Sequence, residues 1–145
     1  MIDGKPLVLV IDGQGGGVGR ALTALLKEQL PQVYLRAVGS NAQATAAMLR
    51  AGAHDGATGE NAVVVNAPLA DFIVGPIGVA VPNSLLGEIT PAMAAAVGAS
   101  PARKILIPSD RCHLTLALDH PQSLQTSLER CAALVKEALD RRPGC

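Results

Sequence analysis

Leu7-Val8-Leu9-Val10-Ile11 is a short, branched, apolar run, and it passes straight into Asp12-Gly13-Gln14-Gly15-Gly16-Gly17-Val18-Gly19. Such a run, stopped by glycines, reads as a strand buried on both faces. Val18 to Leu30 then reads as a helix, with Ala21, Leu22, Leu25, Leu26 and Gln29 at helical spacing and Pro31 as its stop. Strand, glycine turn and helix form the unit on which doubly wound α/β folds hold phosphates. The helix start leaves amide hydrogens unpaired and carries partial positive charge, and glycine lets the backbone approach an anion. Five glycines in the seven positions from Gly13 to Gly19 exceed what a tight turn needs.

The rest of the chain continues the alternation. Val33 to Val38 reads as a second strand, closed by Gly39-Ser40-Asn41, where Ser40 or Asn41 caps a helix from Ala42 to Ala51. His54 to Asn61 reads as a glycine-rich connector and Asn61 to Ala67 as a short helix. Asp71 to Val74 is a strand broken by Gly75-Pro76-Ile77-Gly78, and Val79 to Pro82 a short extended piece. Ser84 to Gly87 makes a helical turn. Thr90 caps, and Pro91 opens, an alanine-rich helix that ends near Gly98. Lys104 to Ile107 is a buried strand and His113 to Leu118 an edge strand. Pro121 to Arg142 is an amphipathic helix with Leu124, Leu128, Cys131, Leu134, Val135 and Leu139 on one face. The expected architecture is a three-layer, doubly wound, mostly parallel sheet, Rossmann-like, in a single domain spanning 1–145.

Composition removes whole classes of function. The 145 residues are 49% hydrophobic and 17% charged, too apolar for a disordered chain. No apolar run reaches the roughly 18–20 residues of a membrane span, and the start lacks the order of a secretory signal. A soluble, cytoplasmic protein with no membrane partner is expected. Net charge is zero and the aromatics are Tyr34 and Phe72 alone. Neither the positive charge nor the stacking faces of a nucleic-acid binder are there. Cys112, Cys131 and Cys145 contain no C-x-x-C pair, so neither a disulfide framework nor a metal site is expected.

The glycine spacing is informative in what it lacks. Strict G-x-G-x-x-G fails at Val18 or at Arg20, and no G-x-x-x-x-G-K-[ST] loop exists. G-x-x-x-G-x-G does fit, as Gly13, Gly17 and Gly19, and resembles the dinucleotide turn of the short-chain dehydrogenases, with Asp12 where that family usually has Thr. Its Tyr-x-x-x-Lys has no counterpart, since Val38 stands four residues after Tyr34. No acidic residue ends the second strand to hold a ribose; Gly39, Ser40 and Asn41 stand there. Hydride transfer is not expected.

A broader resemblance rests on Asp12 to Gly19, Ala51-Gly-Ala53, Gly56-Ala-Thr-Gly-Glu-Asn61, Gly75-Pro-Ile-Gly78 and Asn83-Ser-Leu-Leu-Gly-Glu-Ile-Thr-Pro91. These are similar to the bacterial domain of unknown function 3842 family over roughly residues 7 to 113. The resemblance implies a small Rossmann-like fold and no assigned activity. The family's cysteine pattern near the last core strand is similar to Arg111-Cys112, whereas His113 and the C-terminal helix read as this sequence's own.

Ligands of parallel sheets bind outside the carboxyl ends of the strands. Four segments are expected there: Asp12–Gly19, Gly39–Asn41, Gly75–Gly78 and 108–112. The candidate binding residues are therefore Asp12, Gly13, Gln14, Gly15, Gly16, Gly17, Val18, Gly19, Ser40, Asn41, Gly75, Pro76, Ile77 and Gly78. Asp12 has a rival role as cap of its own turn, and Ser40 and Asn41 as helix caps. Cys112 is the candidate nucleophile, with inert packing as its alternative; Asp12 with Glu60 is a candidate carboxylate pair. The helix from Thr90 to Ser100 carries no charge, which points to a homo-oligomer that buries it or to a cover by the C-terminal helix. The leading expectation is binding of a phosphate-bearing small molecule, with NAD(P) or another nucleotide as possible cofactors. The rivals are a small enzyme using Cys112 or Asp12/Glu60, and an assembly protein whose glycine turn is structural.

Overall fold

The computed structural model describes residues 1–109 and 113–141. The first apolar run forms β1 (Leu7–Asp12), with all six residues buried. It is the middle of a five-stranded sheet in the order β3-β2-β1-β4-β5. Its neighbours are β2 (Tyr34–Gly39), β3 (Asp55–Thr58), β4 (Phe72–Pro76) and β5 (Arg103–Ile107). Every pairing is parallel, so all five strands deliver their carboxyl ends to one edge. Asp12 is in register with Gly39, which sets the β1 and β2 turns side by side.

The helices are α1 (Gly17–Gln29), α2 (Ala42–Arg50), α3 (Glu60–Asn66), α4 (Pro91–Ala99) and α5 (Leu124–Asp140). The period of two along the strands divides the core between them. Val8, Val10, Leu35, Phe72 and Val74 point to one side and pack with Leu22 and Leu26 of α1, Met48 of α2, and Leu128 and Val135 of α5. Leu9, Ile11, Val38 and Ile73 point to the other and pack with Val63 of α3 and Met93, Ala94 and Val97 of α4. The result is a three-layer, doubly wound, Rossmann-like fold. The chain builds outward from β1 through β2 to β3, then crosses back to β4 and β5. The topological switch therefore falls between β1 and β4, the crevice such folds use for ligands.

Several sequence expectations change. The glycine-rich connector contains β3, an edge strand of Asp-Gly-Ala-Thr without an apolar run. Its strand geometry comes from pairing with β2 over Arg36 to Gly39. Val79 to Pro82 is not extended: Ile77–Ala80 is a 3-10 turn that buries Val79. The Ser84 hydroxyl donates to the Gly78 carbonyl and folds the following segment back on that turn. His113 to Leu118 forms no strand. It pairs with no strand among the described residues, and Leu116 and Leu118 are exposed. The expected helix from Ala42 and the one opened by Thr90-Pro91 are both present, with Asn41 and Thr90 accepting from the amides of Ala44 and Met93. The C-terminal helix begins at Leu124 behind a Ser123 cap, and Leu124 itself is exposed rather than core. α5 packs on the α1 side and α4 on the opposite side, so α5 does not cover α4.

Candidate functional site

Asp12 ends β1 under the glycine turn, and both of its carboxylate oxygens are engaged. One accepts the Gly13 amide and the other the Gly19 amide, each at 2.7 Å. It is 5% exposed. Burial pushes its pKa above the usual carboxylate value against the pull of those two amides, and the nearby negative charge of Glu88 pushes the same way. Asp12 is thus the internal clamp of the turn, the capping role among its two expected ones.

Several glycines are required by close approach, Gly16 and Gly75 among them. Gly16 sits at φ 73° and a Cβ there would meet the Ala44 Cα at 2.8 Å, so only glycine lets α1 start against α2. A Cβ on Gly75 would strike the carbonyl oxygen of Ile11, so glycine sets the approach of β4 to β1. Gly15 and Gly17 differ. A Cβ on either meets nothing within 4 Å, and neither has the positive φ that demands glycine. Among the described residues, neither of their amides finds an acceptor. α1 starts at Gly17 with no side-chain cap and no acidic residue in its first turn. The buried Asp12 carboxylate on the Gly19 amide offsets part of its positive end and leaves the amides of Gly15 and Gly17 without acceptors.

This end of α1 opens on a cavity of about 820 Å3. Its floor is the turn from Asp12 to Val18, and Pro76, Ile107, Pro108 and Leu128 make an apolar wall. Arg20 also lines it; the side chain is exposed and has no ion-pair partner among the described residues. The arrangement offers an anion two free amides, a helix N-terminus and a guanidinium, beside an apolar surface.

The β2 side of the turn is differently filled. Glu88, from the segment before α4, brings one carboxylate oxygen to the Gln14 amide at 3.0 Å, the Ser40 hydroxyl at 2.6 Å and the Asn41 side-chain amide at 2.7 Å. Those bonds, the Ser40 hydroxyl first, hold its pKa below the usual carboxylate value although partial burial opposes them. Asn41 also caps α2 and donates to the Gln14 carbonyl. Glu88 and Arg20 were not among the residues singled out from sequence. The legible signal for Glu88 was a carboxylate in an almost uncharged stretch; for Arg20, a cation one residue past the last glycine of the turn.

Of the expected segments, Pro76 and Pro108-Ser109 meet the glycine turn at the cavity. Gly75 and Gly78 serve the backbone behind it, Gly78 accepting from Ser84. Ile77 opens the 3-10 turn. Glu60 stands apart from Asp12: its carboxylate accepts the Thr90 hydroxyl at 2.6 Å, and the charge that Asp12 faces belongs to Glu88. Cys112 lies outside the described residues. Cys131 is buried on α5 with its thiol pushed up to about 12 by burial, an inert core position. No group of three or more His, Cys, Asp or Glu able to hold a metal occurs among the described residues. No helix among them is long and apolar enough to cross a membrane.

A family model matches residues 7–140. The chain belongs to the family described as Domain of unknown function (DUF3842). The match runs through α5, which corrects the expectation that the C-terminal helix lies outside the family's pattern. No curated protein matches the chain. The crystal structure of AibC superposes on 93% of this chain and 40% of its own, at a TM-score of 0.47 and 17% identity. The chain thus spans well under half the length of that structure. For this family, the Rossmann-like sheet provides the general capacity to bind a small molecule at its carboxyl edge.

Proposed function

We propose that this protein binds a phosphate-bearing small molecule, with the phosphate on the N-terminus of α1 between Gly15, Gly17 and Arg20. One observation carries the reading. Gly15 and Gly17 are glycine where neither φ nor packing requires it, and their amides stand without acceptors on an open cavity. A purely structural turn has no use for that combination, whereas an approaching anion does. The test is a thermal-shift screen with inorganic phosphate, sugar phosphates, NAD(H), NADP(H), flavins, ATP, GTP and coenzyme A, repeated on Gly17→Leu. A ligand at about 100 times its dissociation constant stabilises the native state by about 2.7 kcal/mol. The expected outcome is a shift for the natural chain, and a Gly17→Leu variant that folds and shows none. An unchanged shift in the variant rejects the site.

A second reading concerns the opposite face. Val64, Val65 and Leu69 are 40%, 53% and 58% exposed. Beside them Ala92, Ala95 and Ala99 of α4 face outward with no charge on the helix. A contiguous apolar face of this kind favours a homo-oligomer that pairs α4 with its copy. Sedimentation of Ala95→Glu against the natural chain tests it: the variant is expected to be the smaller species, and equal masses reject the interface.

A further inference from the structure

Resting on the phosphate reading above, we infer that the glycine turn takes a compact phosphate monoester with an apolar body, and not a dinucleotide. A dinucleotide spans the switch point, with its adenosine ribose held by an acidic residue at the end of β2. Here that place is closed. The Glu88 oxygen that reaches it ties the Gln14 amide to Ser40 and Asn41, so the donors at the β2 turn are already used on a protein carboxylate. On the side of Gly13 that faces the β2 turn the space is filled: an added Cβ would lie 2.5 Å from Ser40 Oγ, 2.9 Å from Leu85 Cδ1 and 3.3 Å from Glu88 Oε1. Ser40, Asn41 and Glu88 are absent from the lining of the open cavity, which runs instead toward β5 and α5.

The cavity that remains fits one anionic head and one apolar body. At its near end are the amides of Gly15 and Gly17 and, among the described residues, one guanidinium, that of Arg20, a complement to one phosphate group. Beyond them lie Pro76, Ile107, Pro108, Leu124 and Leu128, which offer the rest of the ligand mostly carbon, with Ser109 and Gln125 as the polar residues beside them. A sugar, rich in hydroxyls, finds few partners on that wall; an aryl or branched alkyl group buries apolar area against it.

Calorimetric titration with inorganic phosphate, phenyl phosphate and NAD+ tests the inference, with Leu124→Gln as the informative variant. Leu124 is half-exposed at the start of α5, so its replacement leaves the core intact. The expected order is phenyl phosphate about tenfold tighter than inorganic phosphate, the increment of a partly buried ring, and NAD+ no tighter than inorganic phosphate. Leu124→Gln is expected to shrink the phenyl advantage while leaving inorganic phosphate binding in place. NAD+ binding more tightly than phenyl phosphate overturns the inference. So does equal affinity for the two phosphates, or a phenyl advantage that Leu124→Gln leaves intact. In each of those cases phosphate binding at the turn survives, whereas failure of all three compounds to bind overturns the phosphate reading with it.

Discussion

Replacing Asp12 by alanine strands two buried amides, those of Gly13 and Gly19. An unsatisfied buried donor costs about 1–3 kcal/mol. Relief of the carboxylate's desolvation, the force that raises its pKa, offsets part of that. The net expectation is a loss of about 2 kcal/mol for Asp12→Ala, read from urea unfolding, with the turn as the region that loses hydrogen-exchange protection first. Asp12→Asn keeps one acceptor and aims a donor at the other amide, so it is expected to lie on the same side of the natural chain. Gly17→Leu is expected to be the opposite kind of change, removing the proposed binding and sparing stability, because nothing stands within 4 Å of the new Cβ. The sequence made Asp12 and the glycines visible as a group. It did not separate the glycines that the fold needs, Gly16 and Gly75 among them, from Gly15 and Gly17 at the cavity. That separation depends on Ala44 and Ile11, neighbours that only the packed sheet brings near.

At the scale of elements, β3 is the one strand that the residue pattern concealed, and side chains explain how it holds. Arg36 donates from Nε and Nη2 to the two oxygens of Asp55 at 2.8 and 2.7 Å, and Tyr34 donates to the same carboxylate at 3.0 Å. The Arg36 bonds hold the Asp55 carboxyl below its usual pKa. The folded state therefore binds that proton less readily than the unfolded chain does. The stabilisation is fully present above about pH 3.8 and is lost as pH falls through the lower folded value. Asp55→Asn is expected to cost about 1 kcal/mol at pH 7, as befits a half-exposed pair, and the cost should vanish in strong acid when urea unfolding is repeated there. His54 adds a second dependence. Its Nδ1 accepts the Leu35 amide at 3.0 Å, which requires a neutral ring. Burial, with Lys27 nearby, lowers its pKa. The folded chain holds the neutral form, so this contribution is present above about 6.5 and is lost as pH falls through the lower folded value. An NMR titration is expected to give a His54 midpoint below 6.5. A midpoint above it contradicts the bond to Leu35.

For the molecule as a whole, the all-parallel sheet delivers every strand's carboxyl end to one edge, and the crossover between β3 and β4 places the crevice beside β1. The two helical layers differ in character. α1, α2 and α5 carry charged outer positions, whereas in the other layer, beyond Glu60 at the start of α3, Val64, Val65, the following Leu69 and Ala92, Ala95 and Ala99 of α4 face outward. If copies pair through the second layer, association stabilises the folded chain by mass action. The melting temperature of the natural chain is then expected to rise with protein concentration, and that of Ala95→Glu to stay constant. A concentration-independent melting temperature for both removes the oligomer reading.

The sequence by itself determined the strand β1, the glycine turn, the capped helices behind Asn41 and Thr90, and the amphipathic α5, because each rests on a local period or on a few adjacent residues. From their alternation it also determined the doubly wound class. Tertiary structure alone decided the rest. β3 exists because β2 offers it a hydrogen-bonding edge and Arg36 a partner for Asp55. His113 to Leu118, with better alternation, forms no strand because no edge receives it. Glu88 reaches the β2 turn from 48 residues beyond Ser40, a separation no local pattern encodes. By filling that turn it directs the open cavity toward β5 and α5.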